Sequence, residues 1–71
     1  MIALFTDFGI QDMYVAQLKG AILSIAPHVT LVDLNHQVAQ FAVPQAAYLL
    51  AASTRYWPAG SIFVAVVDPG V

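Results

Sequence analysis

Polar and apolar positions divide this chain into five segments. Three short runs are largely apolar, Ile2–Phe5, Val29–Leu34 and Ile62–Val67. The last, IFVAVV, is β-branched and aromatic without polar alternation, the pattern of a strand covered on both faces. Between the first two lies DMYVAQLKGAILSIAP, where Val15, Leu18, Ile22 and Ile25 recur at helical spacing. Asp12 stands where an N-cap belongs, and Pro27 ends the pattern. Between the second and third runs, VPQAAYLLAASTRYWPAG puts Pro44 at a first helical position, follows it with an Ala/Leu-rich middle, and sets Pro58 and Gly60 past the end. That segment is apolar nearly all round, so both of its faces are expected to be covered. Tyr56 and Trp57 read as packing at the helix end.

The resulting order is β-α-β-α-β. Helical crossovers of this length fit parallel strands with right-handed connections, a Rossmann-like α/β unit comparable to half of a nucleotide-binding sheet. Such sheets bind ligands outside the carboxyl ends of their strands, at a switch point in strand order. Here those ends are Thr6-Asp7-Phe8-Gly9, Leu34-Asn35-His36 and Asp68-Pro69-Gly70. Asp7, Asp12 and Asp68 are therefore expected along one rim, while Asp33 lies inside or at the end of the second strand.

Length and composition change the picture in one respect. Seventy-one residues form at most one small domain, yet 61% of them are hydrophobic and the mean hydropathy is +0.79. Soluble domains are roughly 45–50% apolar, and so small a chain cannot bury the surplus alone. The expectation is the N-terminal part of a larger fold, or a subunit that buries its faces in an oligomer. Ser24, Pro27, Pro44, Gln45 and Ser53 interrupt the apolar stretches, so none reaches the roughly 18 residues of a membrane span. No basic region precedes the apolar start MIALFTD, which argues against a signal peptide and makes the cytoplasm the default. With no cysteine, disulfides and thiolate metal sites are excluded. A net charge of −2, from four aspartates against one lysine and one arginine, offers no basic patch for nucleic acid.

The candidate chemistry is acidic. There is no GxGxxG and no GxxxxGK[ST], which argues against a pyrophosphate cofactor. A carboxylate at a strand end suits a ribose diol, since it can accept hydrogen bonds from vicinal hydroxyls, and an acidic rim suits a cationic ligand. Each candidate also has a local explanation. Asp7 can be a turn residue bonding the backbone around Gly9, and Asp68 can belong to an Asp-Pro-Gly turn. Asp12 can be an N-cap worth roughly 0.5–2 kcal/mol, a role compatible with facing a ligand. His36 can titrate, bind a metal or be structural, whereas His28, beside Pro27, reads as a surface residue. Phe41 can stack on a flat base or pack in the core. An Asp-cluster metal site would need a second acid that TDFG lacks.

Taken together, TDFGIQDMYVAQLKGAIL, APHVTLVDLNHQV and YWPAGSIFVAVVDPGV span essentially the whole chain. They resemble the N-terminal part of the S-adenosylmethionine (SAM) hydroxide adenosyltransferases, the group that also contains the SAM-dependent fluorinases and chlorinases. The resemblance implies attack of water or hydroxide on the ribose C5′ of SAM, giving adenosine and L-methionine. It implies that Asp7 holds the ribose hydroxyls, that Asp12 contacts the methionine amine and that Phe41 borders the nucleoside. Asp68 would position the attacking water together with an Arg and a His that lie beyond Val71. SAM is then the substrate, with no cofactor and no metal. Residues 1–71 are expected to form the N-terminal portion of the SAM-binding α/β domain. The remainder of that domain, and a β-rich C-terminal domain that closes the site from a neighbouring subunit of a homotrimer, lie outside them. By itself the 71-residue chain is expected to be inactive. Halogenating relatives lack an acid at the position of Asp68, so the resemblance favours water over halide. The alternatives are a SAM-dependent halogenase and a non-catalytic scaffold or assembly piece whose apolar faces serve subunit contacts.

Overall fold

A computed structural model describes residues 1–70; Val71, the last residue of the VDPGV run, lies outside the described residues. The elements are β1 (Ile2–Thr6), α1 (Tyr14–Ile25), β2 (Leu31–Asn35), α2 (Val43–Thr54) and β3 (Ile62–Val66). The three strands form one parallel sheet in the order β2-β1-β3. This is the α/β unit that the apolar runs and helix-length crossovers predict.

The central strand carries the core. Ala3, Leu4, Phe5 and Thr6 are all buried, because β1 has a neighbour on each side and a helix on each face. Successive strand residues point to opposite faces, and the contacts of Phe5 and Thr6 show which helix covers which. Phe5 clusters with Val38 and Ala46, and Leu34, Leu50 and Val67 pack against that cluster, on the face covered by α2. The Thr6 hydroxyl meets His36 Nδ1 at 2.7 Å, and His36 Nε2 meets Asp33 Oδ1 at 2.7 Å. Asp33 Oδ2 in turn accepts from Lys19 Nζ of α1 at 2.8 Å. The polar network thus fastens the α1 face.

Element boundaries moved for local reasons. Val29 donates its N–H to the Ala26 carbonyl at 3.2 Å, so it still belongs to the turn after α1, and β2 starts at Leu31. The expected N-cap role of Asp12 is not realised: α1 begins at Tyr14, Met13 holds the cap position, and no side chain caps the helix. Pro44 does stand in the first turn of α2. Pro27 follows the end of α1, where the Ala26 N–H closes on the Ile22 carbonyl. Trp57 packs edge-on against Phe63 with centroids 5.8 Å apart. Tyr56 does not pack at the helix end but lies exposed beneath the Arg55 guanidinium.

Two further expectations fail within the described residues. Only Ala46 of α2 is buried, while Tyr48 and Leu49 are 74% and 48% exposed, so the helix is covered on one side alone. β3 likewise leaves Ile62 and Val66 exposed. A sheet of three strands with one helix per face has no further layer to set against them, and the terminal strand has a partner on one side only.

Asp33 links this fold to pH. The hydrogen bond with His36, and then that from Lys19, holds its carboxyl below the ordinary aspartate range. A carboxyl with a lowered folded pKa adds stability above its unfolded value, about pH 4, and loses it as pH falls through the folded value. Asp33→Asn is therefore expected to lower the urea midpoint at pH 6, with the gap to the parent protein narrowing steadily below pH 4. A gap of constant size across that range would contradict the assignment.

Candidate functional site

The strand order sets the position of the site. Leaving β1, the chain crosses to β2 on one side and then to β3 on the other, so the order reverses between β1 and β3. That is the switch point at which parallel sheets open a crevice beyond their carboxyl ends. A cleft of about 570 Å³ lies there, within the roughly 300–1,000 Å³ of small-molecule sites. Asp7 and Phe8 enter it from the end of β1, and Asp68 and Pro69 from the end of β3. Gln40 and Phe41 come from the connection after β2, and Asp12 and Tyr14 from the approach to α1.

Asp7 and Asp68 are joined directly. The Asp68 backbone N–H donates to Asp7 Oδ2 at 2.9 Å, across 61 residues of sequence. The Asp7 N–H donates to the Val66 carbonyl at 3.1 Å, which extends the β1–β3 pairing one step past the strand. Asp68 turns its own Oδ1 back to accept the Gly70 N–H at 2.8 Å, the local Asx turn expected of Asp-Pro-Gly. Each carboxylate therefore has one oxygen tied to a backbone N–H, and neither has its second oxygen in a protein hydrogen bond among the described residues. Fixed carboxylates with spare acceptor capacity suit a diol, a water or a cation.

Phe41 is held in an unusual backbone conformation. Its φ of +66° lies in the left-handed region, which costs a non-glycine residue roughly 1–2 kcal/mol. The residue is 58% exposed and is not in the core. Its ring lies against the Asp-Pro-Gly turn, where a Cβ on Gly70 would come within 3.1 Å of Phe41 Cδ1. Gly70 has φ +81°, a backbone conformation that strains any side chain, and a Cβ there would press on the Phe41 ring.

The cleft thus gathers Asp7, Asp12, Phe41 and Asp68. It leaves out His36, which is 7% exposed and bonded within the fold, and His28, which is exposed. Among the described residues no group of three His, Cys, Asp or Glu side chains is arranged to hold a metal. Sequence reasoning missed Tyr14 and Gln40. Tyr14 packs edge-on against Phe8, centroids 6.1 Å apart, and the available signal was its place at the start of the first helix, which in a parallel sheet opens onto the strand ends. Gln40 was detectable only as the neighbour of Phe41.

Residues 2–71 match the family model of the SAM hydroxide adenosyltransferase N-terminal domain. An (R)-S-adenosyl-L-methionine hydrolase of Thermus thermophilus is 42% identical over 66 residues, 93% of this chain and 26% of the relative. A fluorinase of an Actinoplanes species is 39% identical over 69 residues, 97% of this chain and 23% of the relative. The chain thus spans about a quarter of the length of these curated relatives. Among solved structures, a conserved protein from Thermotoga maritima superposes with a TM-score of 0.92 at 35% identity, over 100% of this chain and 27% of its own. A conserved protein from Thermus thermophilus gives 0.84 at 43% identity, over 99% of this chain and 29% of its own.

The packing of Phe41 on Gly70 gives a paired expectation. Gly70→Ala forces a Cβ into the ring contact at positive φ and destabilises the turn by roughly 1–2 kcal/mol, read as faster hydrogen exchange of the residue 70 amide. Phe41→Gly relieves the backbone and leaves that amide at least as accessible to its Asp68 acceptor. Unchanged exchange in Gly70→Ala would mean that the turn is not held as described.

Proposed function

This chain belongs to the SAM hydroxide adenosyltransferase family, and from that membership we propose that it is the N-terminal portion of a SAM hydrolase. The reaction converts S-adenosyl-L-methionine and water into adenosine, L-methionine and a proton. The observation that carries the proposal is the pair of strand-end carboxylates on one cleft, Asp7 and Asp68, each with one oxygen fixed by a backbone N–H.

The chemistry asks little of the protein beyond placement. As the C5′–O bond forms, the C5′–S bond breaks, and a sulfonium departs as a neutral thioether that needs no general acid. The difficulty lies in holding a desolvated nucleophile about 3–3.5 Å from carbon and in line with sulfur. In this scheme Asp68 orients the water and takes up its developing proton. Asp7 accepts hydrogen bonds from the ribose hydroxyls through the oxygen that Asp68 N–H leaves free. Asp12, released from helix capping, meets the methionine ammonium, and the exposed Phe41 ring lies along the nucleoside. SAM is the substrate, and the scheme uses no cofactor and no metal.

Relatives named both hydrolase and fluorinase match this chain, so the nucleophile must be argued from the site. Asp68 supports water. A carboxylate beside a halide adds like-charge repulsion of about 4 kcal/mol at ~4 Å and an effective dielectric of 20. The same proposal makes the protein a cytoplasmic homotrimer that engages neither nucleic acid nor membrane. The exposed apolar side chains of α2 and β3 support assembly, and no helix among the described residues is long and apolar enough to cross a membrane.

The full-length protein should release adenosine and methionine in equal amounts from SAM, assayed with each sulfonium epimer because the hydrolase relatives are named for the (R) form. Asp68→Asn should lower kcat by roughly 10²-fold or more. Added chloride or fluoride should give no 5′-halo-adenosine. Formation of a halo product, or turnover unaffected by Asp68→Asn, would overturn the assignment.

A further inference from the structure

The polar network behind the cleft has a use that the proposed chemistry does not absorb. Thr6 is fully buried and His36 nearly so, in a sheet face where apolar side chains would avoid the desolvation of a hydroxyl and an imidazole. Asp33 is an acceptor, so Nε2 carries a ring proton, and where that is the ring's one proton Nδ1 accepts. The single proton of the Thr6 hydroxyl is then committed to His36 Nδ1. Its oxygen is left to accept the Phe8 N–H, at 3.2 Å. The hydrogen bonds therefore run in one direction, from Phe8 N–H through Thr6 and His36 to Asp33, which Lys19 also holds. The lowered pKa of Asp33 agrees with an ionised acceptor at the end of this relay.

His36 grips the same loop a second time. Its backbone carbonyl accepts the Gly9 N–H at 2.6 Å. Thr6 and Gly9 are thus both tied to one residue at the end of β2, Phe8 is tied to Thr6, and Asp7 lies between these ties. On the other side Asp7 is held by β3, through the Val66 carbonyl and the Asp68 N–H.

From this arrangement we infer that His36, acting through Thr6, is a positioning residue that fixes the Asp7 carboxylate for the ribose hydroxyls. The inference rests on the proposal that Asp7 binds ribose. Contact with the ribose is present in the ground state and the transition state alike, so loosening Asp7 raises KM more than it lowers kcat. A purely structural role behaves otherwise: fewer folded molecules lower the apparent kcat and the thermal midpoint while KM stays put.

The test uses the full-length protein, with KM and kcat for SAM, Kd for adenosine by calorimetry, and the thermal midpoint of each variant. Thr6→Val keeps the shape and removes the hydroxyl; His36→Leu removes both ring contacts; His36→Asn restores an amide oxygen as acceptor for Thr6. Thr6→Val and His36→Leu should raise KM and the adenosine Kd about tenfold, the scale of one lost hydrogen bond, with kcat within about threefold. His36→Asn should recover most of the loss. If His36→Leu does not fold, Thr6→Val and His36→Asn still decide. Asp7→Asn is the reference: if it weakens adenosine binding while Thr6→Val leaves KM unchanged, or lowers only the midpoint, the positioning role is wrong and the ribose proposal stands. Should Asp7→Asn leave adenosine binding intact, the ribose proposal fails and the positioning role fails with it.

Discussion

The structure depends on the position of β1 between two parallel neighbours. A central strand spends its backbone hydrogen bonds on both sides, so its carboxyl end cannot wander. Its last residues must finish beside the ends of β2 and β3. The reversal of strand order then opens a crevice beside Asp7, and the Asp68 N–H bond to Asp7 Oδ2 spans it at 2.9 Å. Two aspartates 61 positions apart in sequence become neighbours because the strands that carry them stop at the same level.

That placement was largely legible in the sequence, and the reasons are local. Ile2–Phe5 and IFVAVV are recognisable as strands because they lack polar alternation, and the helix-length segments between strands are the crossovers that parallel pairing needs. Once the strands are parallel, all carboxyl ends face one rim. What was not legible depends on contacts distant in sequence. Strand order is one such feature, since nothing in the apolar runs says which strand is central. The Thr6–His36 bond, between residues 30 apart, is another; from the sequence His36 was only a histidine after a strand.

Local signals also misled where tertiary structure took precedence. Asp12 had the residue type and spacing of an N-cap, yet the helix starts later and leaves its carboxylate facing the cleft. For Phe41 the residue type alone left stacking and core packing both open, and its positive φ and contact with Gly70 set it against the turn that carries Asp68. A non-glycine residue held at positive φ costs free energy, and such residues cluster at active sites and ligand clamps. The apolar surplus has a similar lesson. α2 and β3 keep exposed the side chains that the sequence said should be covered, because a three-stranded sheet with one helix per face has no further layer to set against them.

The central claim is that a nucleoside lies between the ends of β1 and β3. A crystal structure of the full-length protein soaked with adenosine tests it most directly, since adenosine carries no sulfonium leaving group and stays intact. The account predicts a ribose whose 2′- and 3′-hydroxyls donate to the free oxygen of Asp7, a base alongside the Phe41 ring, and C5′ facing Asp68. An adenosine bound elsewhere, with Asp7 and Asp68 both facing solvent, would contradict it.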